Sequence, residues 1–413
     1  MDMTGSSPCK FLNEHTQSMP NVFKDLSSSI TTCMVPKQVQ DVEHEEPGSA
    51  NSPLPTMGGG LGKNSYVRNS NGQADFMERM FPTVLKPVDE MKILEKDTDV
   101  VRVVDFGCSS GPNTIRNVET ILRRMKRNLS DGECPEFQAF FQDLHETDFN
   151  TLFRFFKTVS ANSGDNGSDD LKYFAVGAPG SCYGRIFPKS SVHFAMSTFA
   201  LHWLSRIPPV IYDQNDEAYF GAHNELVFAS KATIAAYAEQ ANIDLRNFLD
   251  ARATEMVPGG VMTLVFGVRK TYYPYSIGPT DMTGEKVWDE MISEGIVDAK
   301  LKESFKSYMY FRYLKDVEEV LDSFSSMFKT EQRHVSPFFT YPPGLTAREQ
   351  GARFVSLQRG INSTVFEAHF GKEATNIFWE RYEEELVRGF SDGTITDDEE
   401  NYYLILVVVA TRR

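Results

Sequence analysis

Four short stretches of this sequence bring together side chains that can do chemistry. DFGCSSGPNT (105–114) sets an acid, glycines and small hydroxyls where a β-rich run hands over to a helical one. Glycines there let the backbone approach a ligand closely, and a helix N-terminus offers unpaired N–H groups to an anion. Plain strand-to-helix packing is the commoner reason for such a turn, and the GxGxxG dinucleotide pattern is not met. A second apolar run ends in Asp143, where a carboxylate can accept hydrogen bonds from both hydroxyls of a ribose; a solvated loop acid is the ordinary alternative. GAPGSCYGRIFP (177–188) puts Cys182 at the centre of a GxSxG-like run, which raises a cysteine hydrolase as a rival. A nucleophile elbow must run straight into a helix, however, and Pro188 stands where that helix should form. STFALHWLSRIP (197–208) pairs His202 with Trp203, each with an N–H able to point at an anion, although core or rim packing is the usual role of either residue alone.

Two near matches carry less. In MGGGLGKNSY (57–66), Met57 stands where a phosphate-binding loop needs its first glycine and Asn64 where it needs Ser or Thr. The DFG of 105–107 has no HRD partner, which excludes a kinase. The formal net charge of -15 repels phosphate backbones, and no basic stripe interleaved with aromatics overrules it, so nucleic acid is not an expected partner. The longest apolar run near the C-terminus, Tyr403 to Ala410, is far short of the roughly 20 residues that span a bilayer; it reads as a buried strand, and no membrane is expected. Cysteines at 9, 33, 108, 134 and 182 are odd in number and scattered, which points to a reducing, cytoplasmic compartment. The N-terminus lacks a secretory pattern; its Ser/Thr content would suit a transit peptide, but the acidic run Asp41, Glu43, Glu45, Glu46 argues against one.

The elements that must position these residues read as an α/β chain. At 413 residues, with 41% hydrophobic and 12% aromatic, it can build one large domain with an aromatic-lined cavity. Residues 1–56 lack any sustained apolar period and are expected to be a flexible extension. A helix is predicted over 71–81, strands over 100–106, 137–144, 172–179 and within 192–204, helices over 114–127 and 149–159, a long helix over 226–256 ending at ProGlyGly (258–260), and a strand over 261–268. Strands alternating with helices predict a mostly parallel sheet wrapped on both faces. Helical stretches near 285–301, 315–323, 347–365 and 372–389 around a short strand at 328–334 read as a cap, inserted at about 285–390 before a last strand over 402–410.

Taken together, MGGGLGKNSYVRNSNGQ (57–73), DFGCSSGPNT, FFQDLHETDFN (140–150), PGSCYGRIFPKSSVHFAMSTFALHWLSRIP (179–208), FLDARATEMVPGGVMTLVFG (248–267) and VFEAHFG (365–371) resemble the plant SABATH methyltransferases, named for salicylic acid, benzoic acid and theobromine methylation. The resemblance runs in order from about residue 57 to the C-terminus. It implies a Rossmann-like class I methyltransferase sheet with a helical cap, S-adenosyl-methionine as cofactor, and methyl transfer to the carboxylate of a small, mostly apolar or aromatic acid. It implies that Ser70, Asp105, Asn113, Asp143, Leu144, Ser181 and Cys182 hold the cofactor. It places Tyr66, Gln73, Phe199, His202 and Trp203 around the substrate, with Gln73, Trp203 and His202 aiming the carboxylate; Phe199 stands where the family often has Tyr. Gly58 occupies a position that is often Lys in members acting on salicylate, and His202 one where those members have Met, so a dedicated salicylate enzyme is not expected. Some members hold Mg2+ through a late Phe-Asn pair; here the stretch reads Glu303-Ser-Phe-Lys306, and no metal is expected. An N- or S-methyltransferase acting on a small heterocycle or thiol is the alternative on the same scaffold, with the cysteine hydrolase or a non-catalytic small-molecule binder behind it. A homodimer is left open.

Overall fold

A computed structural model describes residues 54, 56–91, 98–129, 135–162, 171–221, 223–276, 280–338, 344–395 and 403–413. The expected flexible extension therefore lies outside the described residues, except for Leu54 and Thr56. Among the described residues, no helix is long and apolar enough to cross a membrane.

One mixed sheet organises the chain. β1 (Val100–Phe106), β2 (Glu136–Asp143), β3 (Phe174–Pro179), β4 (Val192–Thr198) and β5 (Met256–Arg269) run parallel, and β8 (Leu404–Arg412) is antiparallel to β5 and to its other neighbour, β7 (Phe328–Pro337). The spatial order is β3-β2-β1-β4-β5-β8-β7, with the two-residue β6 (Arg312–Tyr313) pairing β5. Order reverses between β1 and β4, and that switch point opens a crevice beyond the strands' carboxyl ends. The run that reads as too short for a bilayer is β8, in which Leu404 to Ala410 are all buried, as a strand covered on both faces requires.

Helices cover both faces. On one side, α2 (Asn71–Asp89) and α3 (Pro112–Arg127) pack Phe76, Met77, Val84, Ile115, Val118 and Leu122 against the sheet, and the same core continues into the cap through Trp288, Phe366 and Trp379. On the other, α5 (Lys231–Glu255) and α8 (Leu314–Ser323) pack Leu245, Phe248, Val317 and Leu321 onto Phe106, Leu264 and Phe266. Tyr66–Asn69 forms a single-turn α1, and Phe149–Asn162 forms α4.

Four sequence expectations differ in detail. The single helix expected at 285–301 is two, α6 (Asp281–Ser293) and α7 (Ala299–Ser304), because Gly295 turns the chain at φ +74. The strand expected inside the cap is the outer strand β7 of the main sheet, so the cap helices fall on either side of a core strand; a half-polar edge strand has no apolar run to mark it as sheet. α9 (Ala347–Phe370) and α10 (Lys372–Asp392) pack on each other between β7 and β8, while α8 packs on α5. ProGlyGly 258–260 lies within β5 as a bulge opposite Val192 to Phe194, and α2 continues through Pro82 and Pro87 because its buried face extends to Val88.

Candidate active site

A cleft of about 1180 Å³ lies beyond the carboxyl ends of β1 to β4. Its two ends are chemically different.

One end is built by the turns after β1, β2 and β3. Gly107, at φ +79, lets the chain turn so tightly that a Cβ there would sit 2.2 Å from the Ala200 Cβ. Its N–H and that of Cys108 bond the Gln142 carbonyl at 2.8 and 3.0 Å, tying the turn to β2. Ser109, itself at φ 55, donates its N–H to Asp143 Oδ2 at 2.6 Å, while Oδ1 accepts from the Leu144 N–H at 2.7 Å and the Thr147 hydroxyl at 2.9 Å. Three donors fill most of the carboxylate's four lone-pair positions, so a ribose would share Asp143 with the protein. Burial pushes the Asp143 carboxyl up, against the pull of those donors. Asp105 lies deeper, fully buried behind the cleft lining, with Oδ2 accepting from Thr114 at 2.5 Å and Oδ1 without a partner among the described residues. Burial raises its carboxyl to about 7, with Thr114 opposing and the nearby Asp143 adding to the rise. Ser70 and Asn113 meet each other: the Asn113 amide donates to the Ser70 carbonyl at 2.8 Å and hydroxyl at 3.1 Å, and Asn113 lines a small adjoining pocket. Leu144, Ser181 and Cys182 line the main cleft.

The other end is built by the turn after β4, with walls from Phe311, Phe338, Leu357, Ile361 and Ile405. His202 and Trp203 sit in that turn, past the last strand residue Thr198, and Phe199 enters it at φ 60. The Gly267 N–H donates to His202 Nδ1 at 3.3 Å, which leaves Nε2 as the protonated nitrogen of a neutral ring. Burial, with Arg312 adding to it, pushes His202 down to about 3. The Gln73 carboxamide oxygen is buried with no partner among the described residues, and its side chain lines the cleft beside Tyr66. Burial raises the Tyr66 phenol, and the Asp105 and Asp143 carboxyls raise it further, so it stays a neutral hydroxyl. Among the described residues, no Lys or Arg lines this cleft.

The family described as SAM dependent carboxyl methyltransferase matches residues 53–413. Indole-3-acetate O-methyltransferase 1 of Arabidopsis thaliana is 33% identical over 350 residues, covering 80% of this chain and 89% of that protein. Gibberellic acid methyltransferase 1 of the same plant is 30% identical over 376 residues, covering 86% and 97%. A solved loganic acid methyltransferase with SAH superposes with a TM-score of 0.73 at 29% identity, covering 86% of this chain and 98% of that one. The chain belongs to this family, the SABATH group its motifs resemble.

S-adenosyl-methionine is thus the cofactor of this methyltransferase, and the polar end fits it. Ser109 and Gln142 line the cleft, and their Oγ and Oε1 atoms are buried without partners among the described residues. The hydrolase reading fails on geometry and charge. β3 leads through a turn into β4 with no helix between them, and burial pushes the Cys182 thiol up to about 12, far from a thiolate nucleophile. Lys306 turns its ammonium to the carbonyls of Glu303 and Phe305, and burial lowers it to about 8; among the described residues no cluster of three His, Cys, Asp or Glu could hold a metal.

Sequence reading missed part of the lining. Ser109 and Gln142 stand inside motifs already singled out, and their place beside Asp105 and Asp143 was the available signal. Phe311, Phe338, Leu357, Ile361 and Ile405 read as ordinary core residues, with nothing local to mark them. Leu54 and Thr56 line the cleft although they lie in the stretch read as an extension.

Proposed function

We propose that the methyl acceptor is a monocarboxylic acid with an apolar, ring-bearing body, its carboxylate aimed by Gln73, Trp203 and His202. His202 is the observation that carries this reading. With Nδ1 taken by Gly267 and the ring kept uncharged, it is an N–H donor and not a base. A carboxylate needs a donor and no base, because its ordinary pKa near 4 leaves it ionised at neutral pH. An amine or thiol acceptor would have to lose a proton that a histidine held near 3 does not take. The walls of Phe199, Phe311 and Phe338 favour an apolar body, and the lack of a lining cation disfavours a second carboxylate.

When bound, S-adenosyl-methionine supplies a sulfonium-activated methyl group. Asp143, Leu144, Ser181 and Cys182 would hold it, with Asp105, Ser70 and Asn113 supporting from behind. Gln73, Trp203 and His202 orient one carboxylate oxygen along the line of transfer. A pair held in a near-attack geometry recovers roughly 7–11 kcal/mol of the barrier. These neutral donors orient the anion without overstabilising it. The unpaired thiols Cys108 and Cys182 support a reducing, cytoplasmic setting, and a homodimer is the assembly proposed with it.

The test is to incubate the full chain with S-adenosyl-methionine and a panel of benzoic, cinnamic, jasmonic, indole-acetic and terpenoid acids, and to measure methyl esters by mass spectrometry. An ester from an apolar ring acid supports the reading. Demethylated cofactor accumulating only with amine or thiol acceptors overturns it.

A further inference from the structure

The two ends of the cleft are built on different loops, and one phenol joins them. The loop after β3 contributes Gly180, Ser181, Cys182 and Tyr183 to the lining. Its backbone is held from several sides. Gly180 donates to the Asp143 carbonyl at 2.8 Å and accepts from the Gln142 amide at 2.6 Å. Fully buried Arg252, on α5, donates to the carbonyls of Cys182 and Gly184 at 2.9 and 3.0 Å and pairs with Glu255 at 2.7 Å. Glu255 in turn accepts the N–H groups of Ile186 and Phe187 at 2.6 and 2.9 Å. A buried pair whose charges meet this many backbone dipoles holds the loop in one shape.

From that rigid loop, the Tyr183 hydroxyl reaches the turn after β4. It donates to the Trp203 carbonyl and approaches the Leu201 carbonyl at 3.4 Å. Arg312, buried on β6, also donates to the Leu201 carbonyl, so Leu201 and Trp203, which flank His202, are gripped through their main chain. Of the turn's other bonds, Trp203 N–H to the Ala200 carbonyl at 3.0 Å closes within it, while Phe199 N–H to the Val265 carbonyl at 2.7 Å, Tyr310 N–H to the His202 carbonyl at 2.8 Å, Leu204 N–H to the Tyr308 carbonyl at 2.9 Å, and Gly267 N–H to His202 Nδ1 run away from the β3 loop.

We propose that Tyr183 is a positioning residue that couples the two halves of this site, its hydroxyl transmitting the set of the cofactor-side loop to the turn that aims His202 and Trp203. The proposal rests on the cofactor and acid assignments above. The bond to the Trp203 carbonyl can be made only when the two loops hold their present distance. Coupling between sites is reciprocal, so filling the cofactor end firms the acid end and the reverse. Tyr183 itself touches neither reacting atom in this scheme. Removing its hydroxyl loosens the turn without taking a donor from the substrate, and a neutral hydrogen bond of this kind is worth roughly 2- to 10-fold in a binding ratio.

Hydrogen exchange of the backbone amides, with S-adenosylhomocysteine as the sole added ligand, tests this without any knowledge of the acid. In the unaltered protein, the ligand should slow exchange both at 180–187 and at Trp203 and Leu204. In Tyr183→Phe, it should bind within about 3-fold of the unaltered affinity and still protect 180–187, but no longer protect Trp203 and Leu204. Full protection of Trp203 and Leu204 in Tyr183→Phe overturns the coupling. Failure of the ligand to bind the unaltered protein overturns the cofactor assignment instead. Should Tyr183→Phe not fold, Tyr183→His, which keeps a donor on a shorter ring, serves in its place: partial retention of the protection supports the link, and undiminished protection removes it. With any acid the enzyme turns over, Tyr183→Phe should also lower kcat/KM for the acid several-fold while KM for the cofactor stays nearly constant, a split that general destabilisation does not produce.

Discussion

The two ends of the cleft, proposed above for the cofactor and for the acid, follow different rules. The first is polar and built from the chain immediately after β1, β2 and β3, with Asp143 meeting three donors within a few residues of the strand ends. The second is apolar and drawn from 73, 199–203, 311, 338, 357–361 and 405, with neutral donors and, among the described residues, no lining cation. On the proposed assignment, a cofactor of constant chemistry would be held by short, local constellations at strand ends. On the same proposal, the acid would be held by packing from distant segments.

That contrast can be broken in graded steps. Asp143→Ala should have the largest effect, because it removes the carboxylate together with its three internal bonds. S-adenosylhomocysteine affinity is expected to fall by 100-fold or more, on the order of 3 kcal/mol, by calorimetry. Unchanged affinity with the fold intact would take Asp143 out of the site. Trp203→Phe and Gln73→Leu should do the opposite, lowering kcat/KM for the acid by about 10- to 150-fold, one charge-assisted hydrogen bond, while cofactor affinity stays nearly constant. If both variants weaken the cofactor equally, the two ends are not separate.

Asp105→Asn separates function from stability. A carboxyl raised to about 7 in the fold holds its proton more tightly than in the unfolded chain, so the stability it contributes is full below about pH 4 and lost as pH rises toward 7. The amide has no such loss and still accepts from Thr114. The free Asp105→Asn protein is expected to be more stable than the parent at pH 8, by on the order of 2 kcal/mol, while binding cofactor more weakly. A lower melting temperature at pH 8 would refute this account of the buried carboxyl.

The acidic limb of kcat/KM offers a finer probe of the acid end. With His202 held near 3, the limb should follow the substrate's own pKa; a group near 6.5 that persists in Asp105→Asn would instead mark His202 as a base and redirect the acceptor toward nitrogen or sulfur. The smallest effect is expected at the N-terminus. Deleting residues 1–52 should leave turnover within a few-fold, whereas deletion through 56 should raise KM for the acid because Leu54 and Thr56 line the cleft. Equal kinetics for the two truncations would show that those side chains do not matter.

The sequence alone determined the parallel strands, the turns at their ends and the residue types that line the polar end of the cleft. Hydrophobic period, glycine and a terminal acid are local signals, and DFGCSSGPNT and Asp143 announce themselves within ten residues. It also showed His202 and Trp203 as a pair. Tertiary structure decided the rest. The neutral state of His202 depends on its burial and on Arg312, 110 residues away, and its tautomer on Gly267, 65 residues away. The half-polar strand at Phe328–Pro337 joins the sheet only because β8 lies there to pair it. The acid's walls are apolar residues indistinguishable from core until the cap brings α9 and the start of β8 over the switch point. Burial and long-range pairing are properties of what surrounds a residue, so no window of sequence contains them.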